Sequence, residues 1–110
     1  MDHDRLERMV KGWFVGDFQP SVLETTGFEV AIKHYSAGDF EQAHFHKKAH
    51  EITVVVAGEV SMNGRIWSAG DILAIKPGEA TDFAAITDAI TVVVKTPSVR
   101  GDKFPFGDSC

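Results

Sequence analysis

Residues 38–58 read GDFEQAHFHKKAHEITVVVAG. His44 and His46 stand two positions apart. On a strand, successive side chains point to opposite faces, so both imidazoles project one way and Phe45 the other. Lys47, Lys48 and Ala49 form a short turn into a second strand beginning near His50. Glu51 then lies beside the two histidines on the same inner surface, while His50 faces away as a surface or interface residue. Two imidazoles and a carboxylate suit a borderline divalent cation, and the set with open positions is the arrangement known for non-haem iron. Zinc accepts the same donors.

On either side of this stretch the chain alternates short strands with glycine-bearing turns, the pattern of a sandwich or barrel. Strands are expected near 13–15, 21–25, 28–35, 43–46, 50–57, 59–62, 65–68, 71–75, 81–85 and 90–96. Asn63-Gly64 is the strongest hairpin signal, because both residues tolerate a positive φ. Within 28–35, Phe28, Val30, Ile32 and His34 share one face and Glu29, Ala31, Lys33 and Tyr35 the other, and strand parity makes His34 an inward candidate. Leu6, Met9 and Val10 at helical spacing predict a short helix over 2–11, ended by Gly12. The organisation expected is one domain over 1–110, with a barrel core at about 21–96. An N-terminal arm, 1–20, precedes the core, and an irregular surface tail, 97–110, follows it.

The motif residues carry a resemblance. Gly38, His44, His46, Glu51 and Gly58 match the first motif of the cupin superfamily at every position, and the segment from Gly70 through Pro77 and Gly78 to Thr81 is similar to the second. The resemblance implies an all-β fold, a double-stranded β-helix or jelly-roll barrel. It implies metal ligation by His44, His46 and Glu51, for a divalent zinc, iron, manganese or nickel ion. The chain departs from the family at Lys76, where a proline is usual, and at Thr81, where the third histidine ligand falls. Asp82, one residue on, faces outward unless a bulge turns it in. Thr81, His34, Phe83 and Trp67 are candidate pocket residues, the two aromatics with Tyr35 as barrel lining.

Composition bounds the function. Of 110 residues 44% are hydrophobic and 25% charged, with a formal charge of −5, as in ordinary globular domains. Lys47-Lys48 is the only adjacent basic pair, so no footprint for nucleic acid is present. No apolar run approaches the roughly 20 residues that span a bilayer, and the first ten residues lack the apolar core of a secretory signal. A cytoplasmic protein without membrane partner is expected. Cys110 is expected as an exposed tail thiol.

The runs 52–56 and 90–94 are apolar on both faces, which calls for cover on both sides. A homodimer is therefore expected, and the resemblance to cupins implies that 13–18 is exchanged with or laid across the partner; the competing arrangement folds arm and tail back within one chain. The function expected is a metal-binding small cupin that binds or acts on a small polar molecule, sugar- or acid-like, in the barrel pocket. The alternative is a non-enzymatic ligand-binding or structural dimer with an incomplete metal site. No further residue stands out as a general base, so the sequence leaves the reaction type open.

Overall fold

Runs of β-branched residues broken by positive-φ turns place the chain in two facing sheets, seen in a computed structural model that describes residues 1–107. Cys110 lies outside the described residues. The strands are β1 (Trp13–Gly16), β2 (Leu23–Glu24), β3 (Glu29–Tyr35), β4 (Phe40–Phe45), β5 (His50–Ala57), β6 (Glu59–Met62), β7 (Arg65–Ser68), β8 (Ile72–Ile75), β9 (Thr81–Ala85), β10 (Ala89–Thr96) and β11 (Phe104–Pro105). One sheet has the order β2-β1-β3-β10-β5-β8, the other β11-β4-β9-β6-β7. Apart from the parallel pair β1–β2, the pairings are antiparallel.

Two turns show why their residues are there. Asn63 and Gly64 take φ of 53° and 76° and close the β6–β7 hairpin, in which Met62 faces Arg65. Gly58, at φ 84°, carries the chain from β5 in one sheet to β6 in the other. A Cβ there would collide with the Asp88 carbonyl, so glycine alone fits both the dihedral and the space.

The apolar core occupies one end of the space between the sheets. Val55 and Val60 are fully buried and pack with Met62, Ile75, Phe83 and Ala85. Each such side chain contributes roughly 1.5–3 kcal/mol when removed from water. Trp67 packs against this cluster from β7 and donates its indole N–H to the Met62 carbonyl at 3.2 Å. It belongs to the core and does not line the pocket described below, which corrects the expectation for this residue.

The face assignment of β3 is also corrected. Ala31, Lys33 and Tyr35 point inward and His34 is exposed on the outer face. The alternation along 28–35 is real, but its more apolar face is turned outward. There Ile32 shares an apolar cleft with Leu6, Met9 and Phe14 of the arm, while a polar pocket takes Lys33.

The ends depart from expectation in opposite ways. The helix expected over 2–11 is a single 3-10 turn, Leu6–Arg8, preceded by Arg5 without a side-chain cap. So short a segment cannot sustain a helix on its own hydrogen bonds, and Met9 is buried by packing instead. β1 lies outside the core expected at about 21–96 and pairs with β3 of its own chain, Val15 opposite Val30. The C-terminal segment is not an irregular wrap: Phe104 and Pro105 pair with Phe45 and His44 as β11, and Asp102 is buried.

On β5 and β10 the apolar runs resolve into two faces. Thr53, Val55, Thr91 and Val93 point inward and are buried. Val92 pairs with Ile32 and Val54, and Val54 with Ile72, forming an apolar row across four strands of the outer face. On that face Ile52, Val56 and Ile72 remain 38%, 50% and 67% exposed. Among the described residues, no helix is long and apolar enough to cross a membrane.

Candidate metal centre

The β4–β5 connection brings three donors together. His44 is the penultimate residue of β4, His46 follows its end, and Glu51 is the second residue of β5. One ligand atom from each lies within 4.8 Å of the others, the convergence expected from the two-residue spacing and the short turn.

Hydrogen bonds orient both imidazoles. His46 is 4% exposed and donates from Nδ1 to the Asp102 carbonyl, and His44 Nδ1 is 3.2 Å from the Gln42 carbonyl. A carbonyl only accepts, so each Nδ1 carries the proton and each Nε2 of a neutral ring is left with its lone pair. His46 Nε2 stands 3.3 Å from Glu51 Oε1. Two lone-pair atoms do not rest at that distance unless a proton or a cation lies between them, and the third donor, His44, completes a pocket for the latter. The donor set and its tautomers therefore fit a divalent metal.

Electrostatics favours the ligating protonation states. Burial lowers His44 below the ordinary imidazole value and the charge of Lys103 acts in the same direction, against the Gln42 carbonyl. Burial pushes Glu51 up, but a proton on His46 Nε2 facing it at 3.3 Å, the charge of Lys95 and the Thr53 hydroxyl at 3.2 Å outweigh it, so the carboxyl titrates below its usual range; a cation in that proton's place acts in the same direction.

A cavity of about 220 Å³ opens beside these groups, lined by His44 and Glu51 among others. Thr81 sits directly opposite His44 on the neighbouring strand and lines the same cavity, as does Phe83. The Thr81 hydroxyl donates to the Asp82 carbonyl at 2.8 Å. Asp82 faces outward and accepts from the Asn63 N–H at 2.8 Å, so no bulge turns it in. His34 and Trp67 stay outside the cavity.

Tyr35 of β3, expected as barrel lining, lines the cavity, but sequence reasoning missed the charged wall around it: Lys33 from β3, Glu41 from β4, Lys95 from β10 and Lys103 near β11. Glu41 and His44 are three apart and would face opposite ways on a regular strand. A bulge, in which Glu41 pairs with Phe83 and His44 with Thr81, turns both inward. Burial, with Glu41 and Glu51 nearby, pushes the Tyr35 phenol well above its ordinary value, so it remains a neutral hydrogen-bond donor. The shared parity of Lys33 with Ala31 and Tyr35, and of Lys95 with Thr91 and Val93, was a legible signal for part of this wall.

No protein-family model matches the chain, and no curated protein matches it. Solved structures do. An uncharacterized conserved protein with a double-stranded β-helix domain from Klebsiella pneumoniae subsp. pneumoniae is 30% identical over 73% of this chain and 71% of that one, with a TM-score of 0.66. KdgF from Halomonas sp. is 21% identical over 69% and 74%, with a TM-score of 0.63. A cupin-superfamily sugar phosphate isomerase from Silicibacter pomeroyi is 24% identical over 64% of this chain and 50% of its own length, with a TM-score of 0.60. The last two likenesses are of fold. Motif residues meeting between two facing sheets, and a relative of this identity over most of both lengths, place the chain in the cupin superfamily of double-stranded β-helix proteins.

Proposed function

We propose that this cupin binds one divalent metal through His44, His46 and Glu51 and uses it to hold a small oxygen-bearing molecule in the adjoining cavity. The observation that carries the reading is the 3.3 Å approach of His46 Nε2 to Glu51 Oε1, with His46 Nδ1 already committed to a carbonyl. A bound metal supplies Lewis-acid polarisation of a ligand oxygen. The protein holds both rings in one tautomer, keeps the carboxylate ionised and excludes bulk water by burying His46. Thr81, where cupins usually carry a third histidine, leaves a position open to the small molecule. The fold also carries a sugar phosphate isomerase, which acts on an oxygen-rich small molecule. Fold alone does not select a reaction.

Elemental analysis of protein purified without tag or chelator tests this. Near one equivalent of zinc, iron, manganese or nickel per chain is expected. No metal, even after reconstitution, would return the site to a hydrogen-bonded polar cluster and favour ligand binding without metal.

We further propose that two copies pair through the outer face of the β10-β5-β8 region. The apolar row there is uncharged, so an identical patch complements it without charge matching, as a two-fold contact requires. The chain measures 42 × 34 × 19 Å, so its broad faces exceed the roughly 800 Å² per partner of a standard interface. The arm covers Ile32 within one chain and leaves Ile52, Val56 and Ile72 bare.

A further inference from the structure

The chain is acidic overall, at −5, yet its cavity is not. Four lysines, Lys11, Lys33, Lys95 and Lys103, line it with two glutamates, Glu41 and Glu51, an excess of two positive charges before any metal is counted. A divalent ion on His44, His46 and Glu51 doubles that excess. Like charges gathered in a partly buried space are costly unless an anion joins them.

The lysines are poorly matched inside the protein. Lys33, its side chain 17% exposed, has Glu41 as its carboxylate partner at 4.0 Å, the outer edge of an ion pair. Among the described residues, no carboxylate comes within 4.0 Å of Lys11, Lys95 or Lys103. Lys33 Nζ and Lys95 Nζ lie 5.4 and 4.9 Å from the ring centroid of Trp13, so one indole gathers two ammonium groups at the cavity wall. Thr91, also lining the cavity, is 1% exposed, and its hydroxyl makes no hydrogen bond of standard geometry, although the Tyr35 phenol lies near it. A buried hydroxyl without a well-formed hydrogen bond, beside cations that lack a close carboxylate, marks a place where a polar ligand completes the structure.

We infer that the ligand of this cavity is a small organic acid whose carboxylate is held by Lys33 and Lys95, with Lys11 and Lys103 drawing it in from the exposed rim. This deepens the proposed function and rests on it for the cation at the other end of the ligand. The cavity, at about 220 Å³, is below the roughly 300–1,000 Å³ of sites for drug-sized molecules, so the acid is a short one. Lysines are point-charge donors without the planar fork of arginine. They select for charge and leave orientation to the metal and to the neutral Tyr35 phenol.

Calorimetric titration of the full chain, zinc-loaded and metal-free, tests the inference with three probes of similar size: malonate, inorganic phosphate and neutral erythritol. Malonate is expected to bind best, and the Lys33→Gln/Lys95→Gln protein to lose at least tenfold in malonate affinity while zinc binding is unchanged. The single Lys95→Gln change, read beside circular dichroism, covers the case in which the double variant folds poorly, and is expected to lose part of that affinity. Erythritol binding as well as malonate, no malonate binding to the zinc-loaded protein, or full affinity in the lysine variants would overturn it. Tighter binding of phosphate than of malonate would overturn the carboxylate assignment. Failure of the metal reading is separable, since zinc is titrated on its own: malonate held by the lysines without zinc leaves the ligand class standing.

Discussion

His46 donates its Nδ1 proton to the backbone carbonyl of Asp102, 56 positions further along the chain. The side chain of the same aspartate accepts from the Lys47, Lys48 and Ala49 N–H groups at 2.8, 3.1 and 3.0 Å. One residue outside the motif thus orients a ligand ring and pins the turn that carries the next ligand toward it. Burial raises the Asp102 carboxyl, but these three backbone donors outweigh that and leave it below the usual carboxylate range.

Asp102→Ala is expected to lower stability by about 1–3 kcal/mol, because it leaves the buried Ala49 N–H and the part-buried Lys47 and Lys48 N–H groups without their charged acceptor. Metal affinity is expected to fall by roughly 10–100-fold, because the turn between the ligands loses its anchor and the Asp102 carbonyl, which the substitution keeps, is no longer held against His46. Urea denaturation and zinc titration measure the two effects. A variant with parental stability and parental zinc affinity would contradict the positioning role.

His46→Ala is expected to cut zinc affinity at least tenfold, since a site with three protein donors has none to spare. Thr81→His is expected to tighten it, because position 81 lies in register with His44 and faces the same cavity. Competition against a chromophoric chelator reads both. Weaker binding in Thr81→His would show that a histidine at 81 does not reach the ion.

Anion binding is expected to weaken on the alkaline side earlier than an ordinary lysine value of 10.5 dictates. Burial lowers Lys33, with Lys103, Lys95 and Lys11 acting in the same direction and Glu41 opposing them. An anion binds the protonated amine, so affinity is complete below the lowered value and is lost as pH rises through it. Tyr35, raised by its burial, stays protonated over that range. Malonate titrations at increasing pH, with circular dichroism to exclude unfolding, give the profile. A pH-independent affinity would remove Lys33 from the binding site.

Light scattering at micromolar concentration is expected to give twice the 12.0 kDa of one chain. Ile52→Glu, which places a charge on the apolar outer face, is expected to return the mass to that of a single chain with the fold retained, because a charge buried without a partner disfavours the contact. A parental protein that stays at one chain's mass as concentration rises would remove the dimer.

The local features of the fold were legible because they depend on near neighbours. The two-residue spacing of His44 and His46 set their common face, the turn through Ala49 brought Glu51 to them, and Asn63-Gly64 specified its hairpin from backbone dihedrals alone. Which face of a strand is inside is a different question, answered by what lies across from it. Residues 28–35 alternate in either reading, and the arm packed at Ile32 together with the polar cavity at Lys33 turned His34 outward. The bulge that brings Glu41 to the face of His44 exists only in the pairing of β4 with β9. The bonds from Asp102 to His46 and its turn join segments more than fifty residues apart, and no periodicity within either segment encodes them. Side-chain spacing is written locally, whereas burial, register and the second partner of a buried polar group come into being only when distant strands meet.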